Sequence, residues 1–263
     1  MAVESPANIV VIGHNPLALE AALYGRFMGY SVQLLGHSDS ATGLFRAPPI
    51  QTSSTLNLTD RMTPLGRRAI LAQDPSLTEE ELFQSVTCEN SYHENYLNRL
   101  AGCDLLSDSL VGGIDRLQVT VIEDELPEEW DTELELDPRV FQIQVLDPAT
   151  AGPVPEASFR ADVLIDMRTS SEQSSVACEF DFGQPAGPSA IDADREAEGD
   201  VETHPGVVNA GDPRRLLTGV DDFYLLGERS PLLKGSLYLE GLFQVRDLFK
   251  IICDREQLDL YQG

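Results

Sequence analysis

Positive charge is scarce in this sequence: its 263 residues carry 18 Lys and Arg against 44 Asp and Glu, a net charge of −26. A nucleic-acid binder neutralises phosphates with clustered bases, and a membrane-surface protein needs a basic face, so the charge excludes both classes of partner. Long apolar runs are missing too, since none approaches the roughly 18 residues of a membrane span. The first residues, Met1-Ala2-Val3-Glu4-Ser5-Pro6, hold an acid where a signal peptide holds a positive charge, and the expectation is a cytoplasmic protein. Cysteine is sparse: Cys88, Cys103, Cys178 and Cys253 lie 15, 75 and 75 positions apart, without the CxxC spacing of a redox pair or zinc site, and read as buried free thiols with no metal centre. Neither HExxH nor GxSxG occurs, which leaves hydrolase chemistry without support.

With 42% hydrophobic residues, enough apolar material is present for a sizeable core. The run Asn8-Ile9-Val10-Val11-Ile12-Gly13 is short, β-branched and uninterrupted by charge, as a strand buried on both faces is. Pro16 suits the first position of a helix, and good helix formers continue from Leu17 to Met28 before Gly29. Tyr30-Ser31-Val32-Gln33-Leu34-Leu35 reads as a second strand. Strand, tight turn, helix and strand in so short a span make a βαβ unit with a parallel pair, the opening of a doubly wound, mainly parallel Rossmann-like α/β sheet.

Further along, helices are expected over 64–71 and 79–100, and Leu117–Ile122 with Val140–Val145 should form a small β-meander. The tip between them carries nine acids from Glu123 to Asp137 and reads as a solvated hairpin end. Residues 161–166 form another buried-strand candidate, Asp222-Phe223-Tyr224-Leu225-Leu226-Gly227 a last strand, and 237–253 a closing helix. The Ser, Pro and acid-rich stretch 169–214 reads as a flexible loop, so that 1–168 and 215–263 make the core of one domain.

The turn Gly13-His14-Asn15-Pro16-Leu17-Ala18 stands where a dinucleotide-binding fold places GxGxxG. Only its first glycine is kept. Asn15 replaces the second, a residue that visits the left-handed region more readily than most, and Ala18 is a small-residue variant of the third. This turn and its helix, together with Phe223-Tyr224-Leu225-Leu226-Gly227-Glu228-Arg229-Ser230 and Leu237-Tyr238-Leu239-Glu240-Gly241-Leu242-Phe243, resemble the FAD-dependent oxidoreductases of the flavoprotein monooxygenase-like and pyridine-nucleotide-disulphide-oxidoreductase-like kind, over about 170 of the 263 positions.

The resemblance implies an FAD-binding domain, with FAD as cofactor and Gly13, His14, Asn15, Pro16, Leu17, Gly36, Gly227, Glu228 and Gly241 along it. It does not name a catalytic residue. Three departures bear on activity. The acid that binds the adenosine ribose in such proteins falls at Gly36, the Ala-Thr-Gly turn after residue 166 is Met167-Arg168-Thr169, and the second dinucleotide domain expected there is replaced by the acidic stretch. Restoring an acid with Gly36→Glu is therefore expected to strengthen FAD binding. Two readings stay open: an FAD-binding protein whose partners are an external reductase or a small-molecule substrate, and a non-catalytic Rossmann-like relic acting as a binding or interaction module.

Overall fold

Four short runs with almost no polar interruption set the architecture, because a strand covered on both faces cannot alternate polar with apolar residues. The structure, a computed structural model, describes residues 7–36, 61–123, 139–147, 152–169, 176–182, 220–227 and 237–262. Strand β1 (Asn8–Ile12) is buried from Ile9 onward. Helix α1 (Pro16–Phe27) follows, and Gly29, at φ 88°, turns the chain into β2 (Ser31–Leu35). The two strands pair in parallel, Ile9 against Val32 and Ile12 against Leu35. The expected βαβ unit is thus present with its register.

Helix α2 (Pro64–Gln73) begins behind the N-cap Thr63, whose hydroxyl accepts the Gly66 amide. Helix α3 (Glu79–Ser85) is started by a reciprocal capping box between Thr78 and Glu81. The single helix expected over 79–100 is broken at Val86, which adopts extended backbone and is buried. Its β-branched neighbours in sequence, Val86 and Thr87, favour that break, and the Ser91 hydroxyl collects the Thr87 and Cys88 amides at 2.8 and 2.9 Å. The chain resumes as α4 (Glu89–Tyr92), a π-helical turn (His93–Leu97) and α5 (Asn98–Ala101), followed by α6 (Asp104–Ser107) and β3 (Leu110–Val111).

The remaining strands are β4 (Arg116–Glu123), β5 (Arg139–Leu146), β6 (Pro153–Ala161), β7 (Val163–Asp166), β8 (Ala177–Asp181) and β9 (Phe223–Leu225), and α7 (Leu237–Cys253) closes the described order. One five-stranded sheet runs β3-β2-β1-β7-β9, all parallel. A second runs β6-β5-β4-β8, antiparallel through the meander and parallel between β4 and β8. The protein is therefore mixed α/β with an all-parallel main sheet, compatible with a Rossmann-like fold. Strand β8 lies inside the stretch read as loop; the rest of that stretch from 183 to 214, and the acidic tip, fall outside the described residues.

Alternation along β1 assigns the two faces. Ile9 and Val11 join a core with Leu19, Leu23, Tyr24, Leu65, Tyr96 and Phe249 from the helices. Val10 and Ile12 join a second core with Leu117, Val119, Phe141 and Ile143 from the mixed sheet. A doubly wound sheet carries helices on both faces; among the described residues this one carries helices on one face and the mixed sheet on the other. Apolar burial on both sides of β1 is what the charge-free sequence run allowed.

An ion pair joins the two sheets at the end of β7. Asp166 is fully buried and Arg168 is 3% exposed, with Nε and Nη2 donating to the two carboxylate oxygens at 3.0 and 2.9 Å. Arg168 also donates from Nη1 to the Val176 carbonyl at 2.9 Å and lies 5.7 Å over the Phe180 ring on β8. Removing one partner of such a buried pair strands the other's charge away from water, so Arg168→Ala is expected to cost about 3–5 kcal/mol. Chemical denaturation checks it, and a loss under about 1 kcal/mol would contradict the structural role.

Candidate functional site

The carboxyl edge of a parallel sheet is where α/β proteins of this kind place their ligands, because strand ends, turns and helix N-termini converge there. Gly13 and His14 meet Gly36, from the end of β2, on this edge, while Asn15, Pro16 and Leu17 carry the turn into α1 and Asn15 is bonded to Met167 at the end of β7. Gly13 sits at φ 146°, backbone that side-chain-bearing residues rarely adopt. A β-carbon there would stand 3.2 Å from the Met167 carbonyl carbon and 3.3 Å from the Ala18 β-carbon. The turn is thus packed tightly between α1 and β7.

Asn15 has extended backbone, φ −87° and ψ 166°, rather than the left-handed conformation that would have made it a glycine substitute. It is the N-cap of α1. Its Oδ1 accepts the Leu17 and Ala18 amides, each at 3.0 Å, and its Nδ2 donates to the Met167 carbonyl at 2.6 Å. Pro16, the first helical residue, has no amide hydrogen to offer, and the Leu19 amide bonds to the Asn15 carbonyl at 3.2 Å. The donors that a helix N-terminus presents to an anion are therefore taken within the chain.

The other residues of the edge are also in close contact. His14 is half-buried, with its β-carbon beside Gly36. A β-carbon on Gly36 would fall 2.9 Å from the Gly13 carbonyl oxygen and 2.9 Å from the His14 β-carbon. An acid at this position meets backbone, contrary to the expectation that Gly36→Glu could be accommodated with a gain. The space beside Gly241 is filled by the Leu17 side chain, so its missing side chain lets α7 approach α1. Gly227 takes φ 68°, and its amide donates to Gln244 Oε1 on α7 at 2.9 Å. Glu228 and Arg229 lie outside the described residues.

No model of a known protein family matches the chain, and no curated protein matches it.

Among the described residues no group of three or more His, Cys, Asp or Glu side chains is placed to hold a metal ion, and no helix is long and apolar enough to cross a membrane. All four cysteines are free, but only Cys103 is buried; Cys88 is exposed and Cys178 and Cys253 are half-buried. One titratable group was missed by the motif reading. Glu20, on the inward side of α1, is 1% exposed, and burial pushes its carboxyl up to about 7 against a smaller opposing hydrogen bond with Thr63. The signal was a single acid inside Leu17-Ala18-Leu19-Glu20-Ala21-Ala22-Leu23, where every neighbour is apolar.

Packing at Gly36 gives a direct check. Gly36→Ala should lower stability by about 1–3 kcal/mol through overpacking against the Gly13 carbonyl, which is backbone and yields little. Thermal unfolding within about 0.5 kcal/mol of wild type would show that the turn has room after all.

Proposed function

We propose that the protein is a non-catalytic Rossmann-like binding module, related in fold to the FAD-binding domains its sequence resembles, whose dinucleotide turn is filled by its own side chain. The observation that carries this reading is the Asn15 carboxamide. A glycine at this position leaves space for the pyrophosphate, and the helix amides then coordinate it. Here the carboxamide oxygen holds the Leu17 and Ala18 amides while its nitrogen is fixed by the Met167 carbonyl. The residues present do not fit the pyrophosphate of FAD in this turn.

The crowding at Gly36 and the filled side of Gly241 support the same reading, because both positions face neighbours within the chain. The strand order β3-β2-β1-β7-β9 with a packed meander supports kinship with the FAD/NAD(P)-binding type of sheet. A net charge of −26 favours association with a basic partner over any polyanion.

A second reading, FAD held along the carboxyl edge and reduced by an external enzyme, is favoured by Gly227, where a β-carbon would meet nothing within 4 Å among the described residues. Absorbance and a fluorescence titration separate the two. Purified wild type should be colourless at about 450 nm, and Asn15→Gly, which frees two amides, should bind FAD at least about tenfold more tightly than wild type. A yellow wild-type protein, or a wild-type Kd of about 10 μM or tighter, would falsify the module reading.

A further inference from the structure

Glu20 lies inside the helical layer, away from the carboxyl edge, and its surroundings come from four places. Thr63 caps α2; Tyr96 comes from the π-helical turn and accepts the Thr63 amide at 3.0 Å while sharing a 3.2 Å hydrogen bond with the Thr63 hydroxyl. Tyr24 stands one turn further along α1, and Tyr261 comes from the segment after α7. The Glu20 carboxyl acts electrostatically on both Tyr96 and Tyr261. Two oxygens in this cluster, Glu20 Oε1 and Tyr261 Oη, are buried with no hydrogen-bond partner among the described residues.

The segment 254–262 is fastened beside this cluster by few bonds. The Leu260 amide donates to Tyr24 Oη at 3.1 Å, and the Tyr261 ring meets Tyr24 edge-on at 5.5 Å. Tyr24 in turn stacks on Phe249 of α7 at 4.8 Å. Asp259 accepts the Tyr261 amide at 2.9 Å and faces Arg246 at 3.5 Å. Arg246 and Lys250 are both shared with Asp247, so the bases of α7 are engaged with acids there, and Arg255 is exposed.

We propose that Glu20 and Tyr261 form a pH-sensitive latch, in which the protonated carboxyl permits the segment 254–262 to dock beside α1 and its ionisation releases that segment. An ionised carboxylate buried among hydroxyls must regain water. Thr63, at 2% exposure, and Tyr96, at 1%, belong to the packed helical core, and opening that side would disrupt α2 and the π turn. Leu258, Asp259, Leu260 and Tyr261 are only half-buried and follow the last helix, so their undocking disturbs least. The unpartnered Tyr261 hydroxyl marks the place where water would enter.

The sign follows from linkage. Glu20 has an ordinary value of 4.5 when solvated and about 7 when docked. Docking is fully favoured below about 4.5, weakens about tenfold for each pH unit above it, and levels off above about 7. The test is amide hydrogen exchange at Leu260 and Tyr261 in the full chain, corrected for intrinsic pH dependence. Wild type should show an opening constant that rises about fortyfold between about pH 5 and about pH 7, and Glu20→Gln a change under about threefold. In Tyr261→Ala, where water reaches the carboxyl at every pH, protection at Leu260 should be low and flat. A flat wild-type profile, the wild-type slope in Glu20→Gln, or the wild-type slope in Tyr261→Ala would each overturn the latch. None of these outcomes depends on FAD binding.

Discussion

The Asn15 carboxamide joins the start of α1 to the end of β7, 152 positions away in the chain, through a 2.6 Å hydrogen bond to the Met167 carbonyl. Buried amides and carbonyls require partners, and a strand end beside a helix start concentrates several of them. One side chain satisfies three: two helix amides and one strand carbonyl. Gly13 has to pass between Met167 and Ala18 for this to happen, which fixes its unusual backbone and the small residue at 18. The Asp166–Arg168 pair then begins where this junction ends, and carries the connection on to β8 and the second sheet. Helix α1, the main sheet and the mixed sheet thus meet within the span from Asp166 to Arg168.

Charge is distributed by the same logic of compensation. Asp166 is buried with a bidentate arginine, whereas Glu20 is buried among hydroxyls, and burial pushes the Glu20 carboxyl up towards neutrality. A cation at hydrogen-bond distance stabilises a buried carboxylate, while a ring of phenols and a threonine compensates far less for lost hydration. The excess of acids over bases makes such pairing selective: 18 bases cannot serve 44 acids, and among the described residues the arginine with the best geometry goes to the most deeply buried carboxylate.

The elements that were legible in the sequence are those in which one physical signal acts alone. Strands β1, β7 and β9 are short apolar runs, and α7 keeps helical spacing over its whole length, from Leu237 to Cys253. Strand β8 was legible too and was overlooked: Val176, Cys178, Phe180 and Phe182 alternate with acids at 179 and 181, a period of two submerged in an acidic stretch. Strand β6 was harder, since Pro153 opens it and its residues are in part exposed. The break at Val86 depends on tertiary burial that overrides helix propensity. Gly13 and its neighbours form the turn between β1 and α1, as their sequence order suggests. What Asn15 does there depends on Met167, which lies far away in the chain, and local spacing does not carry that information.

A ligand that binds only the folded state adds to stability by mass action, and a fold built around a cofactor therefore leans on it. A helix N-terminus that waits for a phosphate has unsatisfied amides until the phosphate arrives. The Asn15 cap removes that dependence, since a good cap contributes about 0.5–2 kcal/mol on its own and the donors are satisfied in the free chain. The side chain that fills the turn also stabilises it, so the module proposed here needs no bound ligand to satisfy these amides. The Met167-Arg168-Thr169 turn is coherent with this: the long Arg168 side chain occupies the junction at the end of β7 and ties the two sheets together. Asn15 and Arg168 are two parts of one arrangement, an edge bonded to itself.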